Sequence, residues 1–282
     1  MLELWHAEVR AGRLDCVPGE PYLQRVLAGF DWGARSRMVD GSGGVEGAVL
    51  VAGRPTPAGT VTQVSVAAEA RDLRNELLRW GLQLSHAAGA VAAQVFVGRG
   101  HSEGFAELGA QLVRPWWRMD RSLDGEIPDR LPVSGYELWD GNRVPTGGWS
   151  QVHNRSFADH WRFSARHESE LVSGYDPRLS LLAMTADGSP AAVTLGHVEA
   201  YLQDPRPQPV GIVSSVGTVP EHRRKGLATW LVAEILRRLR DEGANSASLY
   251  VDGWNETGAP DAYRKLGFDL AFESEVWEAT FK

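Results

Sequence analysis

The 282-residue sequence contains one cysteine, Cys16, which excludes a disulfide framework and a zinc site built on thiolates. Lysine is almost as scarce, occurring only at Lys225, Lys265 and Lys282, so arginine supplies nearly all of the positive charge. No apolar run approaches the ~20 residues that a membrane helix needs. The opening stretch, Met1 to Cys16, carries acids and lacks an apolar core of signal-peptide length; a cytoplasmic location is therefore expected. Positive charge is also in deficit. With 36 acids against 29 bases the net charge is −7, which argues against a general nucleic-acid surface, since tracking phosphates requires a cationic excess. The remaining composition, 43% hydrophobic and 23% charged, is that of a globular protein of one large domain or two ordinary ones.

The chain reads as two copies of one unit. "LELWHAEVR" near the start and "YELWDGNRV" from Tyr136 each read as a short strand, with Trp5 and Trp139 in the same place. "TVTQVSVAAEARDLRNELLRWGLQLSHAAG" and "GIVSSVGTVPEHRRKGLATWLVAEILRRLRDEG" each read as a strand running into a helix. Strands from Ala90 to Val97 and Ser246 to Val251 follow, and "FAELGAQL" then parallels "YRKLGFDL". The stretch Leu123 to Gly135 has the proline, glycine and charge content of a linker. Two units are expected, over residues 1–127 and 128–282. The second is longer early on, with helical sequence from Gly147 to Ser180 and then a strand pair turning at Asp187-Gly188.

"PEHRRKGLATWLVAEILRRLRDEG" holds the clearest chemistry. Leu227, Trp230, Leu231, Ile235, Leu236 and Leu239 fall at helical spacing, giving one apolar stripe, and Gly243 suits the stop. The first turn of such a helix exposes unpaired N–H groups with partial positive charge, which can take phosphate oxygens if nothing bulky intervenes. Gly226 and Ala228 remove bulk there, while Arg223, Arg224 and Lys225 add charge. The loop is neither the nucleoside-triphosphate loop nor the dinucleotide fingerprint, because the required glycine and Lys-Ser/Thr patterns are missing.

Arg223-Arg224-Lys225-Gly226-Leu227-Ala228 fits the R/Q-x-x-G-x-G/A signature of the GNAT acyltransferase superfamily, and "NETGAPDAYRKLGF" (Asn255 to Phe268) resembles a second segment of it. The resemblance covers the second unit nearly whole and the first only in outline. The duplicated arrangement is similar to that of the mycothiol synthases. The family implies an α/β fold, here two tandem units, each with a mixed, largely antiparallel sheet flanked by helices. It implies acetyl-CoA as the acyl donor, held by Gly217, Thr218, Val219, Arg223 through Thr229, and Asn255. It also implies a gap beside the strand ending at Val219, with an oxyanion donor among the backbone N–H groups there. Asn255 would bond the cofactor arm or cap the next helix. Tyr263 is the expected general acid, since a phenol of pKa ~10 can protonate a departing thiolate. For the base or the acceptor wall, Glu199, His197, His160 and Asp159 all stay open, as does a water relay. His197 and Glu199 are expected to face opposite sides of their strand.

The first copy departs from this pattern. Aligned without gaps from the strand end, Leu73 and Asn75 fall opposite Gly226 and Ala228, and Phe105 opposite Tyr263. The first unit therefore reads as degenerate and structural. The expected reaction is acetyl transfer to a small primary amine, with no nucleic acid, membrane or metal involved. A non-catalytic acyl-CoA-binding protein is the main alternative, and aminoacyl transfer from a charged tRNA a lesser one.

Overall fold

The computed structural model describes residues 2–18, 30–144, 147–172, 175–202 and 206–281; Ser173 and Gly174 of the long early segment, and Lys282, lie outside these. The first unit contains α1 (Leu2–Arg10), β1 (Val17–Pro18), α2 (Trp32–Arg35), β2 (Ser36–Gly41), β3 (Gly44–Thr56), β4 (Gly59–Ala68), α3 (Arg71–Ala87), β5 (Ala92–Gly98) and β6 (Gln111–Ser122). The second contains β7 (Tyr136–Asp140), α4 (Gly148–Phe157), α5 (Glu168–Val172), β8 (Ser180–Thr185), β9 (Pro190–Glu199) and β10 (Tyr201–Leu202). It continues with β11 (Val210–Thr218), α6 (Leu227–Asp241), β12 (Ser246–Asp252), α7 (Ala259–Arg264) and β13 (Asp269–Thr280).

Eleven of these strands form one sheet, in the order β2-β3-β4-β5-β13-β6-β12-β11-β9-β8-β7. Only β4–β5 and β11–β12 are parallel pairs; the other neighbours are antiparallel. The units exchange their last strands. β6 lies against β12, and β13 lies against β5, so each unit's sheet is completed by the other's sequence. The remaining pair, β1–β10, also joins the two units.

The internal repeat is visible bond by bond. Helix α3 ends with Gly89 donating to His86 and Ala90 to Ser85, and α6 ends with Gly243 donating to Arg240 and Ala244 to Leu239. Near the exchanged strands, Leu108 and Ala110 donate to Phe105, as Leu266 and Phe268 donate to Tyr263. Gly109 and Gly267 follow with φ of +83° and +82°.

One expected match fails. Leu2–Arg10 is a helix, not a counterpart of the strand β7. Leu4 and Glu8, one helical turn apart, are both buried, and Leu4 packs on Ala48 and Ala67 of β3 and β4. Helix α1 thus covers the face of the first unit's strands that α4 covers in the second, where Trp149 and Val152 pack on Val193 and Leu195. Helices α3 and α6 take the opposite face. A Cβ on Gly47 would strike Leu77, and one on Gly211 would strike Leu239. Among the described residues no helix is long and apolar enough to cross a membrane.

Candidate active site

The site starts where α6 starts. Gly226 caps the helix with φ of +87°, a conformation that L side chains rarely adopt, and a Cβ there would meet only Thr229 Oγ1, at 3.9 Å. Thr229 Oγ1 donates to the Gly226 carbonyl at 2.9 Å, and the first loop-to-helix bond runs from Trp230 to Gly226. The N–H groups of Leu227, Ala228 and Thr229 therefore stand free among the described residues, aimed out of an open cradle. The Leu227 side chain is buried, so its contribution to the cradle is its backbone. This is a surface into which a pyrophosphate fits.

The three cations before Gly226 have different tasks. Arg223 is spent on structure: Nε donates to the Thr218 carbonyl at 3.1 Å, and Nη2 to the Ser156 carbonyl at 3.0 Å. It also grips Asp159 with two bonds of 2.7 and 3.0 Å. Lys225 donates to Tyr136 Oη at 3.1 Å, and that hydroxyl lies 2.7 Å from His222 Nδ1. Arg224, at φ +64° and exposed, is the cation left facing solvent.

Beside the loop, β11 and β12 part. Their parallel pairing covers only Val210–Val213 against Ser246–Leu249. Past that point β11 carries a register shift between Ser214 and Gly217 in its pairing with β9, with Ser215 at φ +50°. Gly217 must be glycine here, because a Cβ would lie 2.7 Å from both Ser156 and Phe157 at the end of α4. The result is a wedge-shaped gap with an unpaired β11 edge. The Val219 N–H donates to Ala191 and so is withdrawn from the expected oxyanion donors.

Tyr263 lies on the α6 face of this gap, packed edge-on against Phe268, with its ring in the core that α6 builds. Burial pushes its phenol well above the ordinary range, so it remains a proton donor through the physiological range. Asn255 Oδ1 accepts from the N–H of Thr257 at 2.9 Å and of Ala259 at 3.4 Å, shaping the turn into the helix that carries Tyr263. Its position fits the helix-capping alternative.

The base candidates separate. His197 and Glu199 do not face opposite sides: two positions apart on one strand, they share a face, with Nε2 3.3 Å from Oε2. They pair with Ile212 and Val210, five and seven positions before Gly217. That sets them alongside the stretch where β11 and β12 are still paired, before the strands part. The Arg223 guanidinium lowers the Asp159 pKa, which makes it a clamp and a poor base. His160 stands one ring further on from Phe157, whose own ring lies against Gly217. It continues a ladder of rings, His153–Phe157–His160, with centroids 4.7 and 4.8 Å apart. Burial lowers its pKa, with Asp159 opposing, so the imidazole is neutral near pH 7.

Sequence reasoning missed Tyr136 and His222 beside Lys225, and Tyr250 on β12. For Tyr250 a signal existed: Ala247, Leu249 and Val251 alternate with Ser246, Ser248, Tyr250 and Asp252, so a phenol shares the polar face of a central strand.

The first unit has the matching parting of strands but no cradle. From the first parallel pair to the glycine that ends the helix, Val61 to Gly89 spans 28 positions and Val210 to Gly243 spans 33. Those five extra residues are the bulge and the loop. Helix ends and buried positions (Leu77 and Leu78 against Leu231 and Val232) then put Asp72 and Arg74 opposite Gly226 and Ala228. This corrects the gapless alignment that assigned Leu73 and Asn75. Helix α3 starts at once after Ala70, whose backbone is extended. Arg74 folds back to donate to the carbonyls of Ala68 and Glu69.

The acetyltransferase (GNAT) family profile matches residues 148–268. The GNAT match is confined to those residues, within the second unit. Among relatives, a mycothiol acetyltransferase of Kytococcus sedentarius is 33% identical over 175 residues, covering 56% of this chain and 54% of the relative. One of Nocardiopsis dassonvillei is 38% identical over 156 residues, covering 52% and 45%. The chain spans about half the length of the curated relatives it matches. A GCN5-related N-acetyltransferase of Sphaerobacter thermophilus superposes with a TM-score of 0.76 at 20% identity, over 93% of this chain and 85% of that one. A tandem GNAT protein of the clavulanic acid pathway gives 0.59 at 17%, over 87% and 82%. At such identities the likeness is one of fold, and this chain has the tandem form of it.

Proposed function

We propose that the protein transfers an acetyl group from acetyl-CoA to the primary amine of a small molecule, within the 128–282 unit, while the 1–127 unit is structural. The observation that carries this is the open, left-handed start of α6 at Gly226, set beside an unpaired β11 edge with Tyr263 across the gap. Bound acetyl-CoA supplies the acyl group as a thioester. The backbone of Leu227, Ala228 and Thr229, with Arg224 and Lys225, would take the pyrophosphate. Arg223 and Asp159 would hold the loop against α4. The β11 edge at Gly217–Thr218 would orient the cofactor arm, and Tyr263 would hold the proton that the leaving sulfur needs. The relatives named mycothiol acetyltransferases favour a small-molecule acceptor over a protein one.

Calorimetry with acetyl-CoA tests the binding half, and mass analysis of a panel of primary amines tests the transfer half. That panel should include the acceptor of the mycothiol acetyltransferases. Micromolar binding with acetylation of at least one amine is expected. Tight binding with no amine acetylated would replace the enzyme by an acyl-CoA-binding protein.

A further inference from the structure

On the α4 face of the gap, opposite Tyr263, lies a polar cluster that neither unit builds alone. Tyr250 is the first β12 residue beyond the last parallel pair, Val213 with Leu249, so it stands at the apex where the strands part. Its hydroxyl donates to Asp15 Oδ2 at 2.7 Å, and Asp15 belongs to the segment that follows α1 in the first unit. Arg118 of β6 pairs with Asp15 and, through Nε at 3.1 Å, with Asp120. Asp120 accepts from Ser248, and Ser248 from Arg206. Cys16 Sγ is 3.9 Å from the Tyr250 hydroxyl. Tyr250 is nevertheless 38% exposed, so its ring borders open space while its hydroxyl is anchored.

Resting on the transferase reading above, we propose that the acceptor amine meets the Tyr250 hydroxyl on this face and passes its proton through it to Asp15. Tyr250 is then the catalytic residue on the amine side, and Asp15, from the other unit, is the positioning residue behind it. The amine nitrogen forms the C–N bond as the C–S bond breaks, and the electrons of that bond leave with sulfur, which takes the Tyr263 proton. The amine's proton goes to Tyr250 oxygen, and the proton that oxygen releases goes to Asp15 Oδ2; solvent afterwards restores both ends. Acid and base thus stand on opposite faces of the sheet and cannot neutralise one another directly. Burial raises the Asp15 pKa against the opposing pull of Arg118, which makes the carboxylate a stronger base than an exposed aspartate. Arg206 and Tyr250 also lower it, and Asp120 raises it.

The test uses the full chain with glucosamine and cysteamine as probe amines, in Asp15→Asn and Tyr250→Phe variants that keep volume. Calorimetry of each amine against the coenzyme A complex should show at least tenfold weaker binding in Asp15→Asn, with the fold and acetyl-CoA affinity retained, although losing the charge beside buried Arg118 lowers the melting temperature. Turnover, where seen, should fall at least thirtyfold in both variants, and the acidic limb of kcat/KM, set by ionised Asp15, should vanish in Asp15→Asn. Equal amine affinity in wild type and Asp15→Asn overturns the proposal, as does failure of the wild type to bind either amine, or unchanged turnover in both variants. A wild type that does not bind acetyl-CoA at all would sink the transferase reading instead.

Discussion

The two partings of parallel strands, β4 from β5 and β11 from β12, share an architecture and differ in what fills them. In the second unit the gap is open, and the helix beside it begins with bare N–H groups at Gly226. In the first, the chain has plugged its own gap. Glu8 on α1 places Oε1 3.2 Å from the Ala68 N–H at the end of β4, and Arg13 clasps Glu8 with two bonds. The Arg13 carbonyl accepts from Gly98 at the end of β5, and a Cβ on Gly98 would lie on the Gly12 carbonyl oxygen. A carboxylate and a turn of the protein therefore stand at the place in the first unit that corresponds to the open gap of the second. The same segment continues to Asp15 at the second site.

The two units differ most in expected effect at Tyr263. Tyr263→Phe copies Phe105, which packs edge-on against Trp277 as Tyr263 packs on Phe268. Turnover should fall about 10²-fold or more, with folding and acetyl-CoA affinity retained; wild-type turnover would remove Tyr263 from the mechanism. Because burial raises this phenol's pKa, its protonated form persists as pH rises through the ordinary value of ~10. No alkaline loss of kcat attributable to Tyr263 is expected below that pH, and a pH-rate series checks it.

Removing the plug is the next largest change. Glu8→Ala leaves the Arg13 guanidinium and the Ala68 N–H without their buried partner, at a cost of about 1–3 kcal/mol in denaturant unfolding. Titration of that variant should still give one acetyl-CoA per chain, since α3 has no cradle. Two sites per chain would mean that the plug alone distinguishes the units. Gly226→Glu then sets a side chain and a like charge in the cradle, and calorimetry should show acetyl-CoA affinity weakened more than tenfold, about 1.4 kcal/mol. Unchanged affinity in a folded variant would refute the loop assignment. The smallest effect is expected from Phe105→Tyr, which should leave the first unit unable to bind acetyl-CoA and the activity of the second unaltered.

Much of this was legible in one dimension. The apolar stripe of α6, the left-handed stop at Gly243, the turn at Gly188 and the loop glycine at 226 are local, fixed by side-chain spacing and by backbone conformations that only certain residues accept. So was the repeat from β4 through Gly109, because like sequences make like hydrogen bonds. The base was not legible. Asp15 and Tyr250 are 235 positions apart, and Arg223 and Asp159 are 64, so no spacing rule brings either pair together. Nor could periodicity reveal that "LELWHAEVR" folds as a helix whose Glu8 answers a β4 amide, a choice made by the burial that β3 and β4 offer. The exchange of β6 and β13 is the same kind of decision. A strand's sequence sets which face is apolar, but which neighbour takes its free N–H and carbonyl groups depends on the edges that the rest of the chain leaves open.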